Sequence, residues 1–244
     1  MPLCLIQFGT TLRDDFPHSV GRTGSVSPSD QNQRRNFVLR DAPKDELEEI
    51  HKLLDQGLSS RVETRLRALI KSARANPSLI AKARCALSRS LEMQGRYRES
   101  LEAVAIYETP ESRIGLDLEA ASCIRVQIGL AYNYTGDHPK AIALLNSALR
   151  EANDNTSGTQ IGWVYAALAR VYRSLNEYTI ARDHAQNALE HFRHTGDWRG
   201  LAESYFGIGL AELFEGNYEQ SLDHLHQALN LIGERPAPYL QGKI

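Results

Sequence analysis

A phrase of sixteen residues occurs three times at a fixed interval, and this restricts the chain to a repeating architecture. YTGDHPKAIALLNSAL (134–149) returns as SLNEYTIARDHAQNAL (174–189) and again as FEGNYEQSLDHLHQAL (214–229), forty residues apart each time. A period of that length is one supersecondary unit, too small to bury its apolar face except by stacking on a neighbour. Turn residues stand at Gly57, Gly95, Gly136, Asn176 and Gly216, at intervals of 38, 41, 40 and 40 residues. Helical periodicity flanks each of them. In the first unit Leu47, Ile50, Leu53 and Leu54 share one face, with Asp41 as the expected N-cap, and Val62, Leu66, Leu69 and Ile70 share another before Pro77. The unit is therefore helix, short turn, helix, five times over.

Small and large residues recur where such packing requires them. Seven positions before the turn stands Ser88, Gly129, Ala169 or Gly209, and five after it Ser100, Ala141, Ala181 or Ser221. Small side chains at both places let the two helices of a hairpin approach closely. Two positions after the turn comes Tyr97, His138, Tyr178 or Tyr218, a ring expected to wedge the hairpin open, and Ala148, Ala188 and Ala228 give the next hairpin a place to pack.

These positions carry a family resemblance. IGLAYNYTGDHPKAIALLNSAL (128–149) resembles a tetratricopeptide repeat, with Ile128, Gly129, Tyr132, Gly136, Ala141, Leu145 and Ala148 on the family pattern. Residues 168–189 and 208–229 match nearly as well, and 87–104 and 44–73 are weaker copies. The period is forty rather than thirty-four residues, and longer helices and loops such as NDNTSGTQ (153–160) take up the difference. The resemblance implies an all-α solenoid of about five antiparallel hairpins wound as a right-handed superhelix. The expected organisation is a largely disordered tail over 1–40, where Gly, Ser, Pro, Asn and Gln crowd out apolar anchors, a repeat domain over 41–234, and an extension or the start of a further repeat over 235–244.

Composition narrows the function classes. The formal net charge is −2, so no global field draws the chain to nucleic acid or an acidic membrane. Three scattered cysteines (Cys4, Cys85, Cys123) in no ligand spacing argue against a disulfide framework and a structural zinc site, and fit a reducing cytoplasm. The N-terminus lacks the basic region and long apolar run of a signal peptide, and no stretch approaches a membrane span. GRTGS (21–25) lacks the Gly-Lys-Ser/Thr ending of a phosphate loop. His191 and His194 have metal-compatible spacing but no third ligand, so a solvated convex face is the expectation for them. Cys85 and Cys123, on the first helices of adjacent hairpins, read as small buried hydrophobes. No catalytic constellation and no cofactor site is expected, which agrees with a family of non-catalytic scaffolds.

Periodicity also locates a surface. Residues thirteen, ten, six and three before each turn share one face of the first helix, the face that lines the concave groove in the family. It presents Lys82, Arg89, Asn133, Trp163, Arg170, Arg173, Phe206 and Leu210. The cations and the indole suit an acidic or C-terminal peptide segment. Val126, Leu130 and Ala166 interrupt the Lys/Asn set with which family members clamp chaperone tails. In the last hairpin Phe206, Leu210, Leu213 and Phe214 form an apolar strip that an end repeat should not expose. We therefore expect the array to continue past residue 244 or the strip to be covered, by a partner or by self-association. The leading expectation is a protein- or peptide-binding scaffold; the alternative is the sensory or autoregulatory segment of a larger bacterial signalling or transcription-regulatory protein.

Overall fold

A computed structural model describes residues 44–73, 76–152, 156–233, 242 and 244; the tail at 1–40, Asp41 and most of 235–244 lie outside them. Among the described residues there are ten α-helices and no strand. They run α1 (44–55), α2 (Ser59–Ser72), α3 (Pro77–Met93), α4 (Tyr97–Val104), α5 (Leu118–Thr135), α6 (His138–Arg150), α7 (Gly158–Ser174), α8 (Tyr178–Thr195), α9 (Trp198–Glu215) and α10 (Tyr218–Ile232). Two short 3-10 turns, Ala105–Tyr107 and Glu111–Arg113, carry the chain from α4 to α5.

The five expected turns are where the backbone becomes left-handed. Gly57, Gly95, Gly136 and Gly216 have φ between 73° and 89°, and Asn176 takes the same region at 62°. Asparagine is among the few residues that tolerate it, so the missing glycine does not interrupt the repeat. The start of every later first helix is fixed by a side-chain cap: Asn76 for α3, Asp117 for α5, Ser157 with Gln160 in a reciprocal capping box for α7, and Asp197 for α9.

Within the hairpins the small positions meet as expected. Ser88 and Ser100 are fully buried with their hydroxyls 2.7 Å apart, and Ser221 Oγ donates to the Gly209 carbonyl at 2.7 Å. Leu145 and Leu225 fill the space a side chain would need at Gly129 and Gly209, where an added Cβ would come within 2.8 Å and 2.9 Å of them. Ala148, Ala188 and Ala228 are buried against their neighbours. The core clusters reach across hairpin boundaries. One cluster joins Leu47, Ile50, Leu54 and Leu66 to Leu87 and Leu91, and the next joins Cys85 and Val104 to Ile128, Leu145 and Leu168. Each fully buried Leu or Ile in this stack contributes about 1.5–3 kcal/mol.

Phe192 is the hub between the last two hairpins. It is fully buried, lies edge-on to Trp163 at 5.1 Å, and sits between Gly162 of α7 and Gly200 of α9. A Cβ at Gly200 would lie 2.4 Å from its ring.

The rings after the turns behave differently from the expected wedge. Tyr97 stacks on Tyr134 at 5.2 Å, and Tyr178 stacks on Phe214 at 4.9 Å. In both cases the ring two residues after one turn meets the ring two residues before the next turn, so these side chains tie successive hairpins together. His138 faces Ser174 in that register and instead pairs its Nδ1 with Asn133 Oδ1 at 3.0 Å. Among the described residues no hairpin follows Tyr218, which is 69% exposed.

Candidate functional site

The first helices form the inner wall. α3 packs on α5, α5 on α7, and α7 on α9, whereas the second helices make their substantial contacts only with first helices. Elements that pack side by side on one surface and splay on the other put that surface on the inside of the curve.

The expected groove residues divide into three groups. Asn133 and Phe206 are buried, at 5% and 7% exposure, and so stiffen the wall more than they face a solvent channel. Trp163 is half-buried; its Nε1 donates to Asp197 Oδ2 at 3.2 Å, which ties α7 to the capped start of α9. Leu210 is half-buried, while Leu213 and Phe214 are exposed. The apolar strip of the last hairpin is therefore not one open patch: Phe206 is inserted into the wall and Phe214 has turned outward to stack on Tyr178. Ile244 packs partly buried beside Ala202 and Ile232 at the end of the array.

The cations make up the third group. Lys82 bonds Glu119 Oε2 at 2.5 Å, with Asp117 at 3.6 Å. Burial pulls its ammonium down, but the bond to Glu119 and the two acidic charges outweigh it and hold the group above its ordinary value. Arg89 reaches Asp55 at 3.4 Å, and Arg170 bonds Glu203 at 2.7 Å. The Glu203 charge drives Arg170 further up despite burial. Arg173 makes no ion pair with a carboxylate among the described residues; burial and then the neighbouring Arg170 lower it. Arg170 and Arg173 line one narrow cleft among α7, α8 and α9 together with Ala166, Ala185, Glu203 and Phe206.

Three further wall groups lie outside the expected set of partner-binding residues, although Glu92 stands on the same periodic face. Arg199 of α9 bonds the carboxylate of Asp55, 144 residues earlier, so the fifth hairpin meets the first. One turn before Asp55, His51 is pushed down by burial, with Arg89 adding to the effect and Asp55 opposing it. Glu92 is the third: its carboxylate accepts from Gln127 Nε2 at 2.6 Å and Ser100 Oγ at 3.0 Å, and burial pushes it up to about 7 against the pull of Ser100, Arg170 and Arg89. A signal for part of this was present. Arg89–Asp55 and Arg170–Glu203 are 34 and 33 residues apart, about one and about two helical turns short of their local repeat intervals of 38 and 40. The 144-residue contact has no such periodic trace.

Cys85 is buried while Cys123 is exposed beside it; burial, followed by a hydrogen bond with Cys123, pushes the Cys85 thiol well up. His184 and His191 stack on Tyr165, and His184 also stacks on Tyr172. Among the described residues no group of three or more His, Cys, Asp or Glu is arranged to hold a metal, and no helix is long and apolar enough to cross a membrane.

Fold and wall together define a solenoid of antiparallel helical hairpins. The tetratricopeptide repeat model matches residues 120–193 and again 160–232, so the last three hairpins are tetratricopeptide repeats. Among solved structures it is similar to PlcR of Bacillus thuringiensis in complex with the peptide PapR7 and DNA, at 14% identity and a TM-score of 0.66, over 84% of this chain and 74% of that one. The apo form of PlcR aligns at 13% identity and a TM-score of 0.66, over 91% and 88%. A putative kinesin light chain with nearly identical TPR-like repeats from Podosopora anserina aligns at 14% and 0.52, over 78% and 93%. Identities this low speak to the fold alone. Comparison with curated proteins gives no significant match.

Proposed function

We propose that the chain is a non-catalytic scaffold whose inner wall binds an acidic peptide segment, through the surface that carries Lys82, Arg89, Trp163, Arg170, Arg173 and Leu210, with Asn133 and Phe206 as its buried supports. The observation that carries the reading is the cleft among α7, α8 and α9, where Arg170 and Arg173 stand beside the Phe206 ring. Two guanidinium groups braced by a buried ring offer charge-assisted bonds to the carboxylates of such a segment. Arg170 is already engaged by Glu203, so Arg173 is the cation most available to a ligand. The partner is a protein or peptide; a formal charge of −2 gives the chain no attraction of its own for nucleic acid.

The test is fluorescence anisotropy with a fluorescein-labelled hexaglutamate peptide. Arg173→Glu should weaken binding about tenfold or more with helicity and melting unchanged, since no ion pair to a described carboxylate is broken. Equal binding by the variant refutes the cleft.

A second reading, a sensory segment of a larger regulator, draws support from the likeness to PlcR, a protein crystallised with both a peptide and DNA. A reading frame continuing into a DNA-binding or ATPase motif decides for it.

A further inference from the structure

Asp55 closes the first helix, yet its carboxylate faces two guanidinium groups, one from the second hairpin and one from the fifth. Arg89 Nη2 lies 3.4 Å from Oδ1, and Arg199 Nη2 donates to Oδ2. The acid is withdrawn from water, its side chain 14% exposed, whereas Arg89 and Arg199 remain 33% and 31% exposed. Arg199 is also held over the ring of Trp198, 5.4 Å from its centroid, which fixes the direction of its fork. The local chemistry is thus a two-armed carboxylate receptor, reachable from solvent on the cationic side and filled from within. The pair Arg170–Glu203 differs in kind, because it joins hairpins that are already packed neighbours and places no demand on the curvature.

We propose that Arg89 and Arg199 form a carboxylate-binding site across the groove, that Asp55 fills it in the free protein and so latches the first hairpin to the fifth, and that a carboxylate of an acidic partner segment enters by taking the place of Asp55. This rests on the groove reading above and adds the occupant and its regulation. The exchange conserves charge: one carboxylate leaves the two guanidinium groups as another arrives. The intramolecular acid competes at a high effective concentration, so the free protein binds more weakly than its open form does. Removing it frees the guanidinium groups of Arg89 and Arg199.

The experiment uses the full chain, the labelled hexaglutamate peptide and small-angle scattering. Asp55→Asn preserves the size of the side chain and removes the anion; it should bind the peptide about tenfold tighter than wild type and increase the maximum dimension in solution. Arg199→Gln should also expand the protein yet bind more weakly than Asp55→Asn, having lost one arm of the receptor. Wild type itself reports on the latch: raising sodium chloride from about 0.05 M to about 1 M screens the ion pair and should expand the free protein, a readout that holds even where a variant loses helicity. Equal peptide affinity of wild type and Asp55→Asn, or no expansion in high salt, overturns the latch while leaving the groove reading intact. Peptide binding by none of the proteins overturns the groove reading, and the proposed occupant with it.

Discussion

Glu92 should make the protein's stability depend on pH in the direction opposite to that of most carboxylates. Its ordinary value of 4.5 is raised to about 7 in the fold, chiefly by burial, so between those values the folded chain keeps a proton that the unfolded chain has released. The cost of ionising it is absent below about pH 4.5, grows through the interval and is complete above about pH 7, where it reaches about 3 kcal/mol. His51 and His184 act the other way. Burial lowers both from 6.5, so protonation of the unfolded chain destabilises the fold as pH falls below that value. The wild-type curve alone therefore mixes opposing slopes, and the informative quantity is the difference from Glu92→Gln. Glutamine retains an oxygen to accept from Ser100 and Gln127, so the hydrogen-bonded wall survives. Urea unfolding followed by circular dichroism at a series of pH values from 5 to 8 should show the variant gaining on wild type as pH rises, by about 2–3 kcal/mol across the range. A difference that stays constant with pH, or shrinks toward pH 8, refutes the reasoning about Glu92.

The packing supplies two further tests. Gly200→Ala should destabilise the last two hairpins by about 2 kcal/mol, because its Cβ would meet the Phe192 ring at 2.4 Å, and adding Phe192→Leu should return part of that loss; thermal unfolding of the single and double variants decides this, and additive losses would count against the overlap. Tyr178→Ala should cost about 1 kcal/mol through the lost Phe214 stack, whereas Tyr218→Ala, at the exposed end of the series, should stay within about 0.5 kcal/mol; equal losses in urea titrations would return the rings to a role within their own hairpins.

Most of the fold was legible in the sequence because a repeat writes the same local physics five times. Left-handed turns demand Gly or Asn, and Gly57, Gly95, Gly136, Asn176 and Gly216 supply them. Close helices demand small residues, and Ser88 meets Ser100 where the spacing placed them. The neighbour pairs Arg89–Asp55 and Arg170–Glu203 also leave a trace, as opposite charges about one and about two turns short of their repeat intervals. The rings misled because a position relative to the turn does not say which hairpin a side chain leans toward; Tyr97 and Tyr178 lean forward onto Tyr134 and Phe214.

The site was legible only as a list of positions on one helix face. Whether each position is open depends on the rotation of each helix and on the curvature summed over all the hairpins, which no single period encodes. That sum buries Asn133 and Phe206, leaves Arg173 unpaired among the described carboxylates, and brings Arg199 to Asp55. The sequence by itself therefore determined the hairpins and how each packs on the next, since these are contacts between near neighbours governed by residue size and backbone freedom. The tertiary structure alone decided which charges meet across the groove, because small rotations accumulate from one repeat to the next and only their total brings the two ends of the array together.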